Sequence, residues 1–176
     1  MKKNKKKILI FGSSSLLGGN LIYYLKDNYS VYYHYTKRSF YINKVKYVKF
    51  FEDVENIDKE TLENQLSNLG VDIIINCIAL TDIDFFEKNK KKSKKINLDF
   101  PILLGNITKS KNIKLIHIST DQLYANRIKF KNENNNIKPL NIYGLHKYQA
   151  EKGLLKENNK SLILRTNFFG VSPFKK

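Results

Sequence analysis

Cysteine, proline and tryptophan are scarce in this chain of 176 residues, which has one, three and none of them respectively. The single cysteine, Cys77, cannot form an internal disulfide and excludes a thiolate metal cluster. His34 has no partner at a metal-ligand spacing, so we expect no metal site. Apolar runs are too short to span a bilayer, and the run after the basic N-terminus is too short for a signal peptide. These absences predict a cytoplasmic protein with no membrane partner.

Acidic residues are also few relative to basic ones, which gives a formal net charge of +16. Lysines cluster at positions 2–7 and 88–95. Such a charge is typical of nucleic-acid binders, but no recognised nucleic-acid-binding module accompanies it. We therefore interpret the charge as a compositional bias that leaves solvated basic faces, and expect no nucleic-acid partner. The positive field would still attract an anionic cofactor or a sugar nucleotide.

Short β-branched or aromatic runs alternate with segments of helical periodicity along the whole chain. The pattern predicts strands at 7–11, 30–35, 46–51, 72–76, 113–118 and 161–166. It predicts helices at 15–26, at 58–69 (closed by Gly70), and at 84–95, 97–109 and 142–157. There is no internal repeat and no Pro/Gly/Ser-rich linker. Alternation of this kind favours one α/β domain over residues 1–176, a doubly wound parallel sheet (Rossmann fold) of about six strands.

The turn between the first strand and first helix carries glycines at positions typical of dinucleotide binding. Gly12 would allow the tight turn, and Gly18 would let the helix pack closely on the sheet. Backbone N–H groups between them, with the helix N-terminus, would receive a pyrophosphate. Ser15 stands where the middle glycine of the usual pattern would be, and its side chain could crowd that pyrophosphate. The alternative is a purely structural turn without a cofactor.

The choice between the two nicotinamide cofactors is read at the end of the second strand. An acidic residue there would bind the ribose 2′-hydroxyl, whereas basic residues would receive a 2′-phosphate. This chain has Lys37 and Arg38 and no acid, which indicates NADPH, with NADH as the alternative cofactor. In so basic a chain, however, these two side chains can equally be ordinary exposed cations.

A third pattern is the pair Tyr143 and Lys147, which follows Ser119, Thr120 and Asp121 in the chain. A spacing of four places the two side chains on one face of a helix. A lysine ammonium near a phenol favours the phenolate and lets the tyrosine exchange a proton near neutral pH. The alternative is an aromatic capping residue and a surface cation. The position of the pair after the fifth strand favours the catalytic interpretation.

Taken together, these motifs resemble one known family. The resemblance is carried by segments 8–12, 16–19, 53–54, 76–84, 117–121 and 139–144, and by Glu87, Asn97, Lys147, Glu151, Arg165 and Thr166. The chain is similar to the extended short-chain dehydrogenase/reductases, and most of all to the dTDP-4-dehydrorhamnose reductase family. Members of that family reduce a 4-keto sugar nucleotide with NADPH in polysaccharide biosynthesis.

The resemblance implies a role for each matching residue. Tyr143 would donate a proton to the carbonyl oxygen, Lys147 would lower the tyrosine pKa and hold the nicotinamide ribose, and Thr120 would hydrogen-bond the reacting oxygen. It implies a cofactor set of Gly12, Ser14, Ser15, Leu16, Leu17, Gly18, Lys37, Arg38, Asp53, Val54, Cys77, Ala79, Thr81, Asn97, Tyr143 and Lys147. It implies a substrate set of Asp82, Asp121, Gln122 and Asn167.

Several departures from the family pattern bear on these roles. Gln122 replaces a tyrosine, His146 stands where serine or threonine is usual, and His117 is expected to be a core residue or a neighbour of the site. Family members continue for about a hundred residues beyond Arg165, the size of a further domain. We therefore expect most of the substrate domain to be missing. The chain would be a split or truncated part of a longer reductase, or a second chain or homodimer partner would supply that domain.

Two further functions remain open at this stage. A sugar-nucleotide epimerase or dehydratase of the same superfamily would keep the same catalytic set. A non-catalytic NADP-binding regulatory subunit would keep the fold without the chemistry, as the regulatory subunit of methionine adenosyltransferase does within this resemblance.

Overall fold

One parallel sheet organises the molecule, in a computed structural model that describes residues 5–34, 45–48, 53–82, 89–124 and 130–173. Its strands follow the order β3-β2-β1-β4-β5-β6, and every neighbouring pair is parallel. The strands are β1 (Lys7–Phe11), β2 (Ser30–His34), β3 (Lys46–Val48), β4 (Ile73–Asn76), β5 (Lys114–Thr120) and β6 (Leu162–Thr166). Successive strands are added on one side of β1 as far as β3, and then on its other side from β4 to β6. This change of side between β1 and β4 is that of the Rossmann fold and confirms the predicted fold class.

Five α-helices connect the strands within the residues that the structure describes. They are α1 (Leu16–Leu25), α2 (Lys59–Leu69), α3 (Lys90–Lys94), α4 (Phe100–Ser110) and α5 (Ile142–Glu157). Side chains of the preceding residues cap three of them, because Ser15, Asp58 and Asn141 each accept a hydrogen bond from a first-turn N–H. Helix α2 ends at Gly70, as the sequence predicts. Within the described part of the chain, no helix has the length and apolar character needed to cross a membrane.

The two faces of the sheet are covered unequally. One face packs on α2, α4 and α5 through a cluster that includes Leu9, Leu66, Ile74, Leu104 and Leu154. The opposite face packs on α1 through a smaller cluster around Ile22. Right-handed crossovers explain the division, since the chain moves one way from β1 to β3 and the other way from β3 to β6.

On the face of the sheet that packs on α1, the side chains of β6 are partly exposed. Leu162 and Leu164 of β6 are 48% and 41% exposed, although each is a large apolar side chain. Beyond the strand, Phe169 and Val171 are exposed as well. The described residues therefore leave two large apolar side chains of β6 partly uncovered on this face of the sheet.

A correction concerns the segment between β4 and β5, where the sequence predicts two helices at 84–95 and 97–109. Residues 83–88 lie outside the described part of the chain. From residue 90 to residue 110 the helix is continuous, and a π-helical turn at Lys95–Asp99 joins α3 to α4. In that turn the Phe100 N–H donates to the Lys95 carbonyl, five residues back. Pro101 has no N–H to donate to an i−4 carbonyl, so the helix is widened there rather than broken.

Substitution of Gly18 by alanine is expected to destabilise the fold by about 3 kcal/mol. A Cβ at Gly18 would lie 2.3 Å from the Gly12 carbonyl oxygen and 3.0 Å from the Ser13 Cα, both of them backbone atoms. Gly105→Ala is the matched control within another helix, because its Cβ would lie 3.4 Å from its nearest neighbours, an ordinary contact. Urea unfolding of both variants is the measurement. Equal stabilities of the two variants would contradict the close packing at Gly18.

Candidate active site

The turn from β1 to α1 builds one wall of a cleft at the carboxyl ends of the strands. Gly12 has a φ of 75°, a conformation that favours glycine. A Cβ at Gly12 would lie 2.7 Å from the Cys77 carbonyl carbon, so the turn lies directly against the chain that leaves β4. The close contact at Gly18 is with the turn itself rather than with the sheet as predicted. Gly18 therefore fixes the turn's shape, and Gly12 its approach to the cleft wall.

Ser15 has a role that its position in the motif does not reveal. Its hydroxyl oxygen accepts a hydrogen bond of 3.0 Å from the Gly18 N–H and caps α1. The backbone N–H of Ser15 itself donates to the Gly12 carbonyl. Two of the N–H groups near the helix N-terminus are thus used within the turn. An incoming pyrophosphate would have to compete with the Ser15 hydroxyl for the Gly18 N–H.

A cavity of about 350 Å³ opens beside this turn. Seven residues of the predicted cofactor set line it, namely Gly12, Ser14, Ser15, Asp53, Val54, Cys77 and Ala79. Leu16, Leu17, Gly18, Thr81 and Asn97 do not line it, and Lys37 and Arg38 lie outside the described residues. Asn97 is buried on the π-helical turn, where its amide accepts from the Leu80 N–H and donates to the Leu80 carbonyl. Asn97 therefore holds the cavity wall in place from behind.

The cavity also has lining residues that the sequence analysis does not single out. His34, at the carboxyl end of β2, is buried, and burial lowers its pKa to about 4, so it is neutral at pH 7. Its place at the end of a parallel strand is a signal that could have identified it. Glu55 and Lys92 both line the cavity and form an ion pair, with 2.8 Å between Nζ of Lys92 and Oε1 of Glu55. The two residues come from segments far apart in the chain. No local pattern in the sequence predicts that ion pair.

The predicted catalytic residues lie at the end of β5 and in the first two turns of α5, and Thr120, Tyr143 and Lys147 do not line this cavity. Thr120 is the last residue of β5, and it hydrogen-bonds Tyr143, which begins the first turn of α5 with Ile142. Tyr143 is 8% exposed. Burial is the main cause of a raised pKa at Tyr143, which the Thr120 hydrogen bond partly offsets and Asp121 increases. The direction is opposite to the lowered pKa expected from the sequence, and it leaves the phenol protonated at neutral pH.

Lys147 lies one turn further along α5 and is 1% exposed. Its Nζ donates to the Ile118 carbonyl at 2.5 Å and lies 3.1 Å from Nε2 of His117. Burial lowers the pKa of Lys147 to about 8, while Glu151 and Cys77 act in the opposite direction. Lys147 is thus a buried residue that interacts electrostatically with Cys77, a residue of the cavity wall. His117 is a buried neighbour of the site, in agreement with expectation.

A second cavity, of about 400 Å³, is lined in part by the residues that follow Thr120 in the chain. Three of the four predicted substrate residues line it, namely Asp121, Gln122 and Asn167, together with Lys131, Leu140 and Asn141. Asp82 is exposed and does not line it. Asn141 also caps α5, because its side-chain oxygen accepts from the Gly144 N–H at 2.7 Å. The same cap therefore orients the first turn of α5, where Tyr143 lies, and shapes the second cavity.

The fold is a Rossmann-like fold of the type found in the extended short-chain dehydrogenase/reductases. The chain belongs to the family described as RmlD substrate binding domain, whose pattern matches residues 6–171. The resemblance to dTDP-4-dehydrorhamnose reductases inferred from the motifs is thereby confirmed.

Three relatives illustrate the match. A probable low-salt glycan biosynthesis reductase, Agl14 of Haloferax volcanii, is 28% identical over 90% of this chain and 52% of its own length. The methionine adenosyltransferase 2 subunit beta of Bos taurus is 25% identical over 91% of this chain and 46% of its own. The crystal structure of dTDP-4-dehydrorhamnose reductase from Bacillus anthracis in complex with NADP superposes with a TM-score of 0.77 at 26% identity, covering 94% of this chain and 54% of that one. The chain spans about half the length of the relatives it matches.

Proposed function

We propose that the chain binds NADPH in the first cavity and reduces a 4-keto-6-deoxy sugar nucleotide that enters through the second. The observation that carries the proposal is the hydrogen bond between Thr120 and Tyr143, because residues beside both of them in the chain line the second cavity. A reductase and a glycan-biosynthesis reductase are among the relatives, and the Bacillus anthracis relative binds NADP. The proposal therefore combines a proton-donating pair with a cofactor cleft and a polar pocket.

The residues of the first cavity fit a dinucleotide. The left-handed turn at Gly12 brings backbone to the cleft without a side chain, and the N-terminus of α1 favours negative charge. Asp53 and Val54 would hold the adenosine end, and Cys77 and Ala79 the wall opposite the turn. When bound, NADPH supplies the hydride for the reduction.

The chain's own contribution to the chemistry is a proton and its placement. Reduction of a ketone creates alkoxide character on the oxygen, which must be protonated as it forms. Burial keeps Tyr143 in the protonated phenol form that can supply this proton. Thr120, bonded to Tyr143, would share the reacting oxygen and fix its position. Asp121, Gln122 and Asn167 would hold the sugar in the second cavity.

The test of this function is a direct assay of the purified chain. NADPH and dTDP-4-keto-6-deoxy-L-mannose are mixed with the protein, and the oxidation of NADPH is followed by its absorbance. We expect consumption of NADPH equal to the reduced sugar formed. Isomerisation of the sugar without net consumption would instead support an epimerase. Absence of any turnover by the folded chain would rule out activity of this chain alone.

We further propose that the second cavity is completed by polypeptide outside this chain, supplied by a second chain or a homodimer partner. The exposure of Leu162 and Leu164 on the open face of β6 supports this proposal, because exposed apolar residues often mark an interface. Light scattering at increasing protein concentration tests the homodimer. A chain that stays monomeric at all concentrations would leave the second chain as the source.

A regulatory subunit is the second candidate function. Two observations favour it: the relationship to methionine adenosyltransferase 2 subunit beta, and the Ser15 hydroxyl that occupies the Gly18 N–H. This candidate predicts that NADPH binds without being consumed when the sugar nucleotide is added. Calorimetric titration of the chain with NADPH, together with the turnover assay, therefore distinguishes the regulatory subunit from the reductase.

Ser15→Gly is expected to tighten NADPH binding about fivefold, because it frees the Gly18 N–H for a phosphate oxygen. The cost to α1 is small, since glycine in place of a serine cap loses only a few tenths of a kcal/mol. The neighbouring Ser14→Gly serves as the matched control, because no such cap is formed by Ser14 in the described turn. Isothermal titration calorimetry measures both variants. An affinity that is unchanged or weaker in Ser15→Gly would show that the serine hydroxyl does not compete with the cofactor.

A further inference from the structure

A chain of three buried side chains runs beneath the catalytic residues, from β4 through β5 to α5. Nδ2 of Asn76 lies 3.2 Å from Nδ1 of His117, and Nε2 of His117 lies 3.1 Å from Nζ of Lys147. Asn76 and His117 are fully buried and Lys147 is 1% exposed. At such depth each polar atom must find a complementary partner, so the direction of every hydrogen bond can be deduced.

The direction of these hydrogen bonds is determined at Asn76. The side-chain oxygen of Asn76 accepts a hydrogen bond of 3.1 Å from the Ile78 backbone N–H. An N–H can only donate, so the amide oxygen must face Ile78 and the amide NH2 must face His117. Nδ1 of His117 is therefore an acceptor and carries no proton. In a neutral imidazole the proton then lies on Nε2.

The tautomer of His117 determines which protonation state of Lys147 fits the site. Nε2–H of His117 is a donor aimed at Nζ of Lys147, and an ammonium has no lone pair with which to accept. A neutral amine does have one, and it keeps two N–H groups, of which one donates to the Ile118 carbonyl. We propose that Asn76 and His117 are positioning residues that hold Lys147 as a neutral amine in the unliganded site at mildly alkaline pH.

The charges around Lys147 are consistent with this assignment. Burial lowers the pKa of Lys147 to about 8, so the neutral amine prevails above that pH. The pKa of His117 lies well below its ordinary value, also because of burial, so the ring itself stays neutral. Glu151, on the same helix, favours the ammonium, but three hydrogen bonds from Arg165 of β6 already engage it. Cys77, after β4, also favours the ammonium, but burial raises the pKa of its thiol to about 12 and keeps it neutral.

Protonation of Lys147 would require the whole chain of hydrogen bonds to reverse. Nε2 of His117 would pass its proton to Nζ, and Nδ1 would take one from solvent, so that the ring stays neutral and one proton enters in total. Nδ1–H would then face the NH2 of Asn76, donor against donor. If the amide turned to accept this proton, the Ile78 N–H would lose its acceptor. Ile78 lines the first cavity, so the protonation state of Lys147 is coupled to the cavity wall.

This inference rests on the proposed function only for the role of Lys147 in the reaction, and it is tested without cofactor. Long-range proton–nitrogen NMR of the unliganded protein distinguishes the two tautomers of each histidine, and the chain has three histidines to assign. His117→Gln identifies the His117 signals by their loss, and His34 and His146 serve as internal references. At pH of about 9, above the pKa of Lys147, we expect His117 to carry its proton on Nε2.

Asn76→Asp is the variant that should reverse the direction of the hydrogen bonds from Asn76 through His117 to Lys147. A carboxylate oxygen facing His117 would accept from Nδ1–H, so the tautomer should switch and Lys147 should become an ammonium. The 13Cε resonance of Lys147, assigned by its loss in Lys147→Met, should then titrate about one pH unit or more higher than in the wild type. A wild-type His117 protonated on Nδ1 would overturn the proposal. An Asn76→Asp protein that folds and keeps the wild-type tautomer would overturn it as well. The wild-type spectrum decides alone if that variant does not fold.

Discussion

Replacement of Tyr143 by phenylalanine is expected to lower kcat of the proposed reduction about 1000-fold, the effect of removing a positioned general acid. The substitution removes one hydroxyl from a residue that is 8% exposed and hydrogen-bonded to Thr120. The ring remains, so the packing at the start of α5 should be retained. Binding of NADPH should change by less than about twofold, because the phenol acts on the substrate oxygen.

Tyr148→Phe is the matched control for this prediction. Tyr148 lies on the same helix, is half-buried, and contacts the Lys152 ammonium through its ring, which phenylalanine keeps. Its activity should equal that of the wild type. A Tyr143→Phe protein with more than about a tenth of the wild-type kcat would remove the tyrosine from the proton-transfer step.

Arg165→Met is expected to lower the free energy of unfolding by about 3 to 5 kcal/mol, because it leaves a buried carboxylate without its counter-charge. Arg165 of β6 makes three hydrogen bonds of 2.7 to 3.1 Å to Glu151 of α5, whose side chain is 4% exposed. Its Nη1 also donates to the Tyr124 hydroxyl at 2.8 Å, and the guanidinium lies over the Tyr124 ring. Arg165 therefore connects the last strand, the catalytic helix and the segment after β5.

Urea unfolding measures this loss, and two variants sharpen it. Lys94→Met breaks an ion pair of 2.7 Å with Asp99, but those side chains are 55% and 46% exposed, so less than about 1 kcal/mol should be lost. The double variant Arg165→Met/Glu151→Met removes both buried charges and should recover most of the loss. Equal effects of Arg165→Met and Lys94→Met would show that the Arg165 pair gains nothing from its burial.

Much of this architecture could be predicted from local patterns. Alternating periodicity defines the strands, and Gly12 and Gly18 mark the turn because backbone atoms lie within 3 Å of a Cβ at either position. The spacing of Tyr143 and Lys147 places both on the buried side of α5. In each case the signal is contained in a few adjacent residues, and the physical requirement it reflects is local.

The parts that could not be predicted depend on contacts between distant residues. The motif predicts that a side chain at Ser15 could crowd a phosphate, but it does not reveal that the hydroxyl bonds the Gly18 N–H, which only the folded turn brings near. The pKa of Tyr143 is raised instead of lowered because burial outweighs the hydrogen bond from Thr120. Lys147 is directed at His117 and the Ile118 carbonyl, atoms about thirty residues away in the chain. Spacing along a helix cannot reveal which of these partners a flexible side chain selects.

The central claim is that the β1–α1 turn and the cavity beside it form a working nicotinamide-dinucleotide site. Isothermal titration calorimetry of NADPH into the folded wild-type chain tests this most directly, with circular dichroism to verify the fold. We predict saturable binding at one site per chain, abolished by Gly12→Ala, whose Cβ would meet the Cys77 backbone. A folded wild-type chain that releases no heat with NADPH or NADH, and shows no change in thermal stability with either, would contradict the claim.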